Sequence, residues 1–286
     1  MRKAFLTLAR VGVALSFLVV TIGAWVRLTD AGLGCPDWPG CYGQLVVPDI
    51  SEAGSAEAAY PDRPLETGKA WREMIHRYLA STLCLVCLVL AGLAWRNRAD
   101  PAQPTRLAYL LLGVVIFQGL LGMWTVTLLL KPVIVMAHLL GGFTTLSLLF
   151  WLARDGVERV DVGRQVRRLA LAAAAVLALQ ISLGGWTSAN YAALACPDFP
   201  TCQTRWWPPV ADFREGFVLW RGLGIDYEGG VLDNPARVAI HFTHRLGAVL
   251  ATIFVGWLGW RLARDSRLKA DGAAILTALT AQLVLG

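Results

Sequence analysis

The chain has 286 residues, of which 56% are hydrophobic and only 16% are charged, and its mean hydropathy is +0.53. A soluble globular domain usually carries about 25% charged residues, so this composition excludes an ordinary soluble protein. The net charge of +6 is no argument for nucleic-acid binding, because the basic residues lie between long apolar segments. The composition instead predicts a protein embedded in the lipid bilayer.

Long apolar blocks follow one another along the chain, and each is close to the length of about 20 residues that a helix needs to cross a bilayer. A seventh block starts near Gly272 and reaches the end of the sequence. The first six blocks are Val11–Val26, Met74–Trp95, Leu107–Leu130, Val133–Ala153, Leu169–Ala189 and Val238–Leu262. The predicted fold class is therefore an all-α, polytopic membrane helix bundle.

The charged residues are unevenly distributed between these blocks. Most acidic residues lie in or beside two long segments, 28–73 and 190–236. More than half of the lysines and arginines lie in the N-terminal tail and after the second, fourth and sixth blocks: Arg2, Lys3, Arg10, Arg96, Arg98, Arg106, Arg154, Arg159, Arg164, Arg167, Arg168, Arg261, Arg264, Arg267 and Lys269. Because basic residues favour the cytoplasmic side, we expect a cytoplasmic N-terminus and both long loops outside.

The chain contains an internal repeat. Gly23-Ala24-Trp25 and the Cys35–Cys41 segment recur 161 residues later as Gly184-Gly185-Trp186 and the Cys196–Cys202 segment. His76-Arg77 recurs as His244-Arg245, and Gln118-x-x-Leu121-Gly122 recurs as Gln282-x-x-Leu285-Gly286. The repeat predicts two four-helix halves, residues 1–155 and 165–286, each with a long loop after its first helix. The second half lacks its fourth helix, so we expect a truncated form of an eight-helix protein.

Four histidines occur in the sequence, and all are expected near the outer side of the membrane. His76 and His244 occupy matching positions of the two halves, and His138 follows the short turn between the third and fourth blocks. Imidazole is a good ligand of heme iron, and facing helices can hold a heme from two sides. The alternative is a histidine that only packs between helices, but recurrence in the repeat favours ligation. We interpret His241, which replaces Glu73 in the second half, as pocket lining.

These positions predict that His76 and His138 bind iron as a pair, whereas the partner of His244 would lie near position 302, beyond the sequence. Glu73 precedes His76 by three residues, so both side chains share a helix face. There Glu73 can move protons, or it can form a salt bridge to a neighbouring arginine; the spacing leaves both alternatives open. Arg77 and Arg245 can bind heme propionates or anchor their helices at the interface.

Each long loop contains one pair of cysteines with five residues between them, Cys35 and Cys41 in the first loop and Cys196 and Cys202 in the second. Outside the cytoplasm such pairs are expected to oxidise. The functional alternative is thiol exchange or electron entry, but reactive pairs more often have two intervening residues. The spacing therefore favours structural disulfides that close each loop.

Taken together, these motifs resemble the heme A synthase family along essentially the whole chain. The residues that carry the resemblance are Gly23-Ala24-Trp25-Val26-Arg27, Gly34-Cys35-Pro36-Asp37-Trp38-Pro39, Glu73-Met74-Ile75-His76-Arg77, His138 and His244-Arg245. The resemblance implies conversion of the C8 methyl of heme O to a formyl group by successive hydroxylations, for cytochrome oxidase biogenesis. It implies that His76 and His138 hold the substrate heme, that Glu73 is catalytic, and that His244 is an axial ligand of a heme b cofactor.

The family also implies a multi-pass protein of the bacterial inner membrane, surrounded by the lipid bilayer, with a heme O synthase as partner. The electron donor, of quinol-linked or other type, and a homo-oligomeric state remain open. One alternative is a non-catalytic b-type cytochrome or a heme carrier, and another is a thiol oxidoreductase that uses the loop cysteines. Glu73 beside only one of the two predicted heme sites favours the enzyme, because an electron carrier has no need of a carboxylate there.

Overall fold

The computed structural model describes residues 2–154 and 160–285, and among these it is all-helical, without a β-strand. Arg159 of the basic set and Gly286 of the repeat lie outside the described residues. Six of the described helices are long and apolar enough to cross a membrane. The chain is therefore a polytopic helical membrane protein, as its composition predicts.

The helices correspond closely to the apolar blocks of the sequence. The predicted seventh block forms α9, which begins three residues before the predicted start. The helices are α1 (Arg2–Leu28), α2 (Ala53–Ala59), α3 (Thr67–Arg96), α4 (Thr105–Thr127), α5 (Pro132–Ala153), α6 (Arg164–Ala189), α7 (Phe213–Gly216), α8 (Asn234–Ala263) and α9 (Lys269–Leu285), with a 3-10 turn at Ile50–Glu52. Proline in the first turn of α5 and of α8 suits these starts, because the first N–H groups of a helix have no intrahelical partner.

The first compact unit comprises Met1–Val157 and Trp220–Gly229, and its four long helices form a closed bundle. Helices α1 and α4 each pack against both α3 and α5. The buried core lies at the end of the bundle where α1 begins, and its members include Phe5 of α1, Leu90 of α3 and Leu111 of α4. This end is held together by burial of apolar side chains.

The opposite end of the bundle contains His76 and His138 and is packed less densely. Residues 133–143 in the first three turns of α5 are all only partly buried, although α5 packs against both α1 and α4. Large apolar side chains are exposed on the outer surface of the bundle, Phe17 and Leu85 among them. Such a surface suits contact with lipid tails, because a bilayer does not penalise exposed apolar groups.

The first long loop folds over the start of α3. Cys35, Cys41 and Tyr42 of the loop form a small buried cluster with Ala70 and Met74 of α3. The Tyr42 hydroxyl donates to backbone carbonyls farther along the same loop, at 3.0 and 3.2 Å. The loop is thus a packed cap on the histidine end of the bundle.

A segment of the second long loop, Trp220–Gly229, belongs to the first unit, and we call it the strap. Lys131, at the N-terminal end of α5, contacts the strap and is only 2% exposed. Its ammonium donates to the carbonyl of Gly222 and lies 4.1 Å from the ring centroid of Trp220 and 5.5 Å from that of Tyr227. Carbonyl and aromatic groups thus surround a buried cation.

Two further contacts attach the strap to the first unit. The Tyr227 N–H donates to the carbonyl of Leu129 at 3.1 Å, in the α4–α5 turn, where Leu129 adopts a positive φ of 49°. Arg63 of the first long loop forms ion pairs with Asp226 and, at 2.5 Å, with Glu228. The strap therefore joins the first loop to the turn that precedes the His138 helix.

The second unit comprises Glu158–Leu219 and Gly230–Gly286. Helix α8 packs against α6, α7 and α9. The indole N–H of Trp186 in α6 donates to the Gly216 carbonyl at 2.9 Å, which attaches the second long loop to the end of α6. The predicted halves, 1–155 and 165–286, with one heme site each, remain a prediction.

We expect Lys131→Met to lower the melting temperature of the purified protein, because it removes a buried charged hydrogen bond worth about 1.5–3 kcal/mol. Limited proteolysis should then cut the strap faster. The control is Lys69→Met, since Lys69 only forms a partly exposed pair with Glu66 at 2.8 Å, which contributes about 0–1 kcal/mol. Equal melting temperatures for the two variants would contradict this role of Lys131.

Candidate functional site

In the first unit the guanidinium group of Arg77 joins α3 to the disulfide loop. Its Nη1 donates to the carbonyls of Asp37 and Gly40 at 2.9 and 2.5 Å. Its Nη2 donates to the carboxylate of Glu73, one turn earlier, at 2.5 Å. The other oxygen of Glu73 accepts the backbone N–H of Cys35 at 2.9 Å. Both charged side chains are largely buried, so each charge is stabilised by the opposite charge of its partner.

In the second unit the same arrangement is built around Arg245. Its guanidinium donates to the carbonyls of Cys196, Asp198 and Thr201 at 2.9, 2.6 and 2.6 Å. Its Nε donates to Nε2 of His241 at 3.1 Å. His241 therefore accepts the arginine hydrogen bond that Glu73 accepts in the first unit, but it does so as a neutral ring.

These contacts show where the structure places three of the predicted site residues. Both arginines bind loop carbonyls, so anchoring of the loop is an observed role, and propionate binding stays a prediction. Glu73 forms the salt bridge that the spacing allowed, with Arg77, and its catalytic role stays a prediction. Glu73 also contacts the loop backbone at Cys35, a long-range contact that the local sequence does not reveal.

Helices α3 and α5 bring His76 and His138 to one site in the first unit, where the two imidazoles are close enough to interact electrostatically. A Cβ atom at Gly23 of α1 would lie 2.8 Å from Cε1 of His76, so the ring position requires glycine there. A Cβ at Gly122 of α4 would lie 3.5 Å from Cε1 of His138, which is ordinary contact. Among the described residues, neither Nδ1 atom has a hydrogen-bond partner.

His244 lies in the second unit in a setting that matches that of His76. A Cβ atom at Gly184 of α6 would lie 3.2 Å from its Cε1, so the repeated glycine again faces the repeated histidine. In contrast to His76, the Nδ1 atom of His244 has a side-chain partner, the amide of Gln180 at 3.1 Å. The first glycine of the repeated motif, Gly23 or Gly184, is thus explained by the space that an imidazole ring needs.

The donor set fits a heme better than a bare metal ion. Among residues 2–154 and 160–285, no group of three or more His, Cys, Asp or Glu side chains could hold an ion. A heme supplies four ligands itself and needs only one or two imidazoles from the protein. The half-buried turns of α5 around His138, and rings fitted against glycine, suit a large planar ligand between helices. His76 and His138 could therefore hold one heme, and His244 a second.

Several residues that shape these sites were not predicted from the sequence. The repeated glycines are visible in the sequence, but their contact with the histidines is not, and neither is the role of Gln180. The sequence does contain a signal for Gln180. The matching position of the first half is Val19, and a polar amide in place of an aliphatic side chain is unusual in an apolar helix. Lys131 carried the weaker signal of a cation beside an apolar block.

Both cysteine pairs form disulfides, with S–S distances of 1.99 and 1.97 Å. An aspartate inside each loop organises the turn. Asp37 accepts the backbone N–H groups of Tyr42 and Gly43 at 2.6 and 2.9 Å. The hydroxyl of Thr201 donates to Asp198, and this hydrogen bond lowers the pKa of that carboxyl group. Both predicted pairs are thus bonded, and a structural rather than a thiol-exchange role stays a prediction.

Comparison with known proteins identifies relatives along nearly the whole chain. Residues 7–286 match the COX15-CtaA family, described as "Cytochrome oxidase assembly protein". The chain is 42% identical to "Heme A synthase" of Shewanella oneidensis, over 98% of this chain and 85% of that protein. It is 30% identical to "Heme A synthase" of Symbiobacterium thermophilum, over 99% of this chain and 85% of that protein. A third relative, "Heme A synthase" of Caulobacter vibrioides, is 28% identical over 95% of this chain and 82% of that protein.

We expect Arg77→Leu to destabilise the protein more than Arg245→Leu. Each change removes an arginine that holds loop carbonyls, but only the first leaves a buried carboxylate unpaired, at a cost of about 3–5 kcal/mol. The melting temperatures of the two purified variants measure the difference. Glu73→Gln should then recover part of the stability lost in Arg77→Leu, and a double-mutant cycle tests this coupling. Equal losses in both arginine variants would contradict the assignment.

Proposed function

Because the chain belongs to the COX15-CtaA family of cytochrome oxidase assembly proteins, we propose that it is an oxidoreductase of heme A biosynthesis that converts heme O to heme A. The observation that supports this most directly is the pair His76 and His138 at one site, with Glu73 one turn before His76. Two imidazoles can ligate a heme, and a carboxylate beside them can take part in its chemistry.

The proposed reaction oxidises the C8 methyl of heme O to a formyl group by successive hydroxylations. The change adds one oxygen atom, removes two hydrogen atoms and takes four electrons from the methyl carbon. It therefore needs an external oxidant, dioxygen or an electron acceptor, and protons must move at the site. Glu73 is fixed in position by Arg77 and by the N–H of Cys35, and its carboxylate can accept and return a proton. His76 and His138 hold the substrate heme, and the closed packing of the first loop limits the access of water.

The second unit is proposed to bind a heme b cofactor through His244, with Arg245 beside it. When bound, this heme supplies one-electron transfer. The matched packing of His244 against Gly184 supports the assignment, as does the neutral His241 where the first unit has a carboxylate. An electron-transfer site needs no carboxylate, so this difference is consistent with a substrate site in one half and a relay in the other.

The proposed location is the bacterial inner membrane, with the N-terminus in the cytoplasm and both long loops outside. The distribution of lysine and arginine along the chain supports this orientation. A heme O synthase is the proposed partner, because it would supply the substrate. A quinol-linked protein is the proposed source of the second heme's electrons. Nucleic acid has no place in this function.

We expect Glu73→Gln to retain bound heme and to lose formation of heme A. The amide keeps the size of the side chain and can still accept hydrogen bonds, but it cannot accept a proton. The full-length gene is co-expressed with a heme O synthase in a host without heme A, and extracted hemes are identified by chromatography and mass. Glu66→Gln is the control, since Glu66 pairs with Lys69 near the surface and should leave heme A formation unchanged.

A Glu73→Gln protein that still produces heme A would contradict the proton-transfer role of Glu73. If the unaltered protein binds heme well and leaves heme O unchanged, the enzyme assignment itself is wrong. That result would favour a b-type cytochrome or a heme carrier.

We further expect His76→Ala and His138→Ala each to reduce heme A formation at least tenfold, because each removes one proposed ligand of the substrate heme. His244→Ala should instead remove the spectrum of the second heme. The measurements are heme A yield and the difference spectrum of the purified protein. Normal heme A formation in either first-unit variant would refute the substrate-ligand assignment.

A further inference from the structure

The side chain of Gln180 in α6 lies within hydrogen-bond distance of the predicted iron-binding residue His244. Its amide lies 3.1 Å from Nδ1 of His244, in a partly buried position. Its Oε1 is buried without a hydrogen-bond partner. A Cβ at Gly247 of α8 would lie 2.3 Å from this oxygen, so the amide keeps its present position only while residue 247 has no side chain. The two helices are thus shaped to place an amide beside the imidazole.

The first unit has neither member of this pair. The Gly23 and Gly184 motifs are 161 residues apart, which places Val19 at the position of Gln180. His76 and His244 are 168 residues apart, which places Leu79 at the position of Gly247. The imidazole of His76 there faces the backbone carbonyl of Val19, and its Nδ1 has no hydrogen-bond partner. The two positions thus differ together between the halves, Gln180 and Gly247 in the second and Val19 and Leu79 in the first. The amide is therefore a feature of the second site alone.

The orientation of the amide decides which imidazole nitrogen can bind iron. If the amide nitrogen of Gln180 faces Nδ1 of His244, the imidazole accepts a hydrogen bond at Nδ1 and carries its own proton on its Nε2. If the amide is turned over, its oxygen accepts a hydrogen bond from Nδ1–H of His244, and Nε2 of the imidazole keeps its lone pair. Only the second arrangement leaves Nε2 of the imidazole free for a metal, and it pairs the oxygen of the amide with Nδ1–H.

We propose that Gln180 is a positioning residue for the cofactor heme: its Oε1 accepts a hydrogen bond from Nδ1–H of His244 and thereby sets the ring tautomer and lowers the reduction potential of the iron. The inference rests on the proposed function, which assigns His244 as a heme ligand. A hydrogen bond donated by a ligating imidazole increases its electron donation, which stabilises the ferric iron. The first unit lacks this side-chain partner, so its iron is not stabilised in this way.

The test is a potentiometric titration of the full-length, heme-loaded protein, followed in the visible absorption bands. His244→Ala first identifies the second-unit heme as the one that this variant loses. Gln180→Leu, which has nearly the same volume, should keep that heme and shift its midpoint potential to a more positive value. Thr187→Val is the matched control: it removes a buried hydroxyl from the same helix, where Thr187 bonds only to the Leu183 carbonyl, and should leave the potential unchanged.

Where Gln180→Leu fails to accumulate, Gly247→Ala provides the same test, since the added methyl group displaces the amide without removing it. It should shift the potential in the same direction. An unchanged potential in a heme-loaded variant of either kind would overturn the role of Gln180 while leaving the heme b site intact. If His244→Ala retains both hemes, the cofactor assignment in the proposed function is wrong, and the inference falls with it.

Discussion

In each unit one arginine guanidinium binds the backbone carbonyls of a disulfide loop, and this interaction places the loop on the helix that carries the histidine. The arginine directly follows that histidine in sequence, as in His76-Arg77 and His244-Arg245. The disulfide closes the loop, and the arginine connects it to the helix through hydrogen bonds that a lysine could not make in the same number. Loop, helix start and imidazole therefore form one structural element, which the chain uses twice.

The two copies differ where chemistry is proposed to differ. The arginine of the first unit also binds the carboxylate of Glu73, whereas that of the second binds the neutral ring of His241. A buried carboxylate is costly unless it is paired, and Glu73 is paired with both Arg77 and the N–H of Cys35. The amide of Gln180 is the reverse case, present beside the histidine of the second unit and replaced by Val19 in the first.

Packing within the first unit is divided between its two ends. The end where α1 begins is an apolar core that includes Phe5 and Leu149. The histidine end is closed by the first loop, through its buried cluster with α3, and by the strap, through the buried ammonium of Lys131. An apolar core at the opposite end can hold the bundle together while the histidine end accepts a large ligand.

The sequence by itself determined the membrane class, the helices and the repeat, because apolar length and self-similarity are local or periodic signals. It also identified His76, His138 and His244 as the candidate ligands. Only the tertiary structure decided what their neighbours do. The contact of Glu73 with Cys35 spans 38 residues, that of Gln180 with His244 spans 64, and that of Lys131 with Gly222 spans 91. Such contacts depend on how helices pack and loops fold back, and no spacing along the chain encodes them.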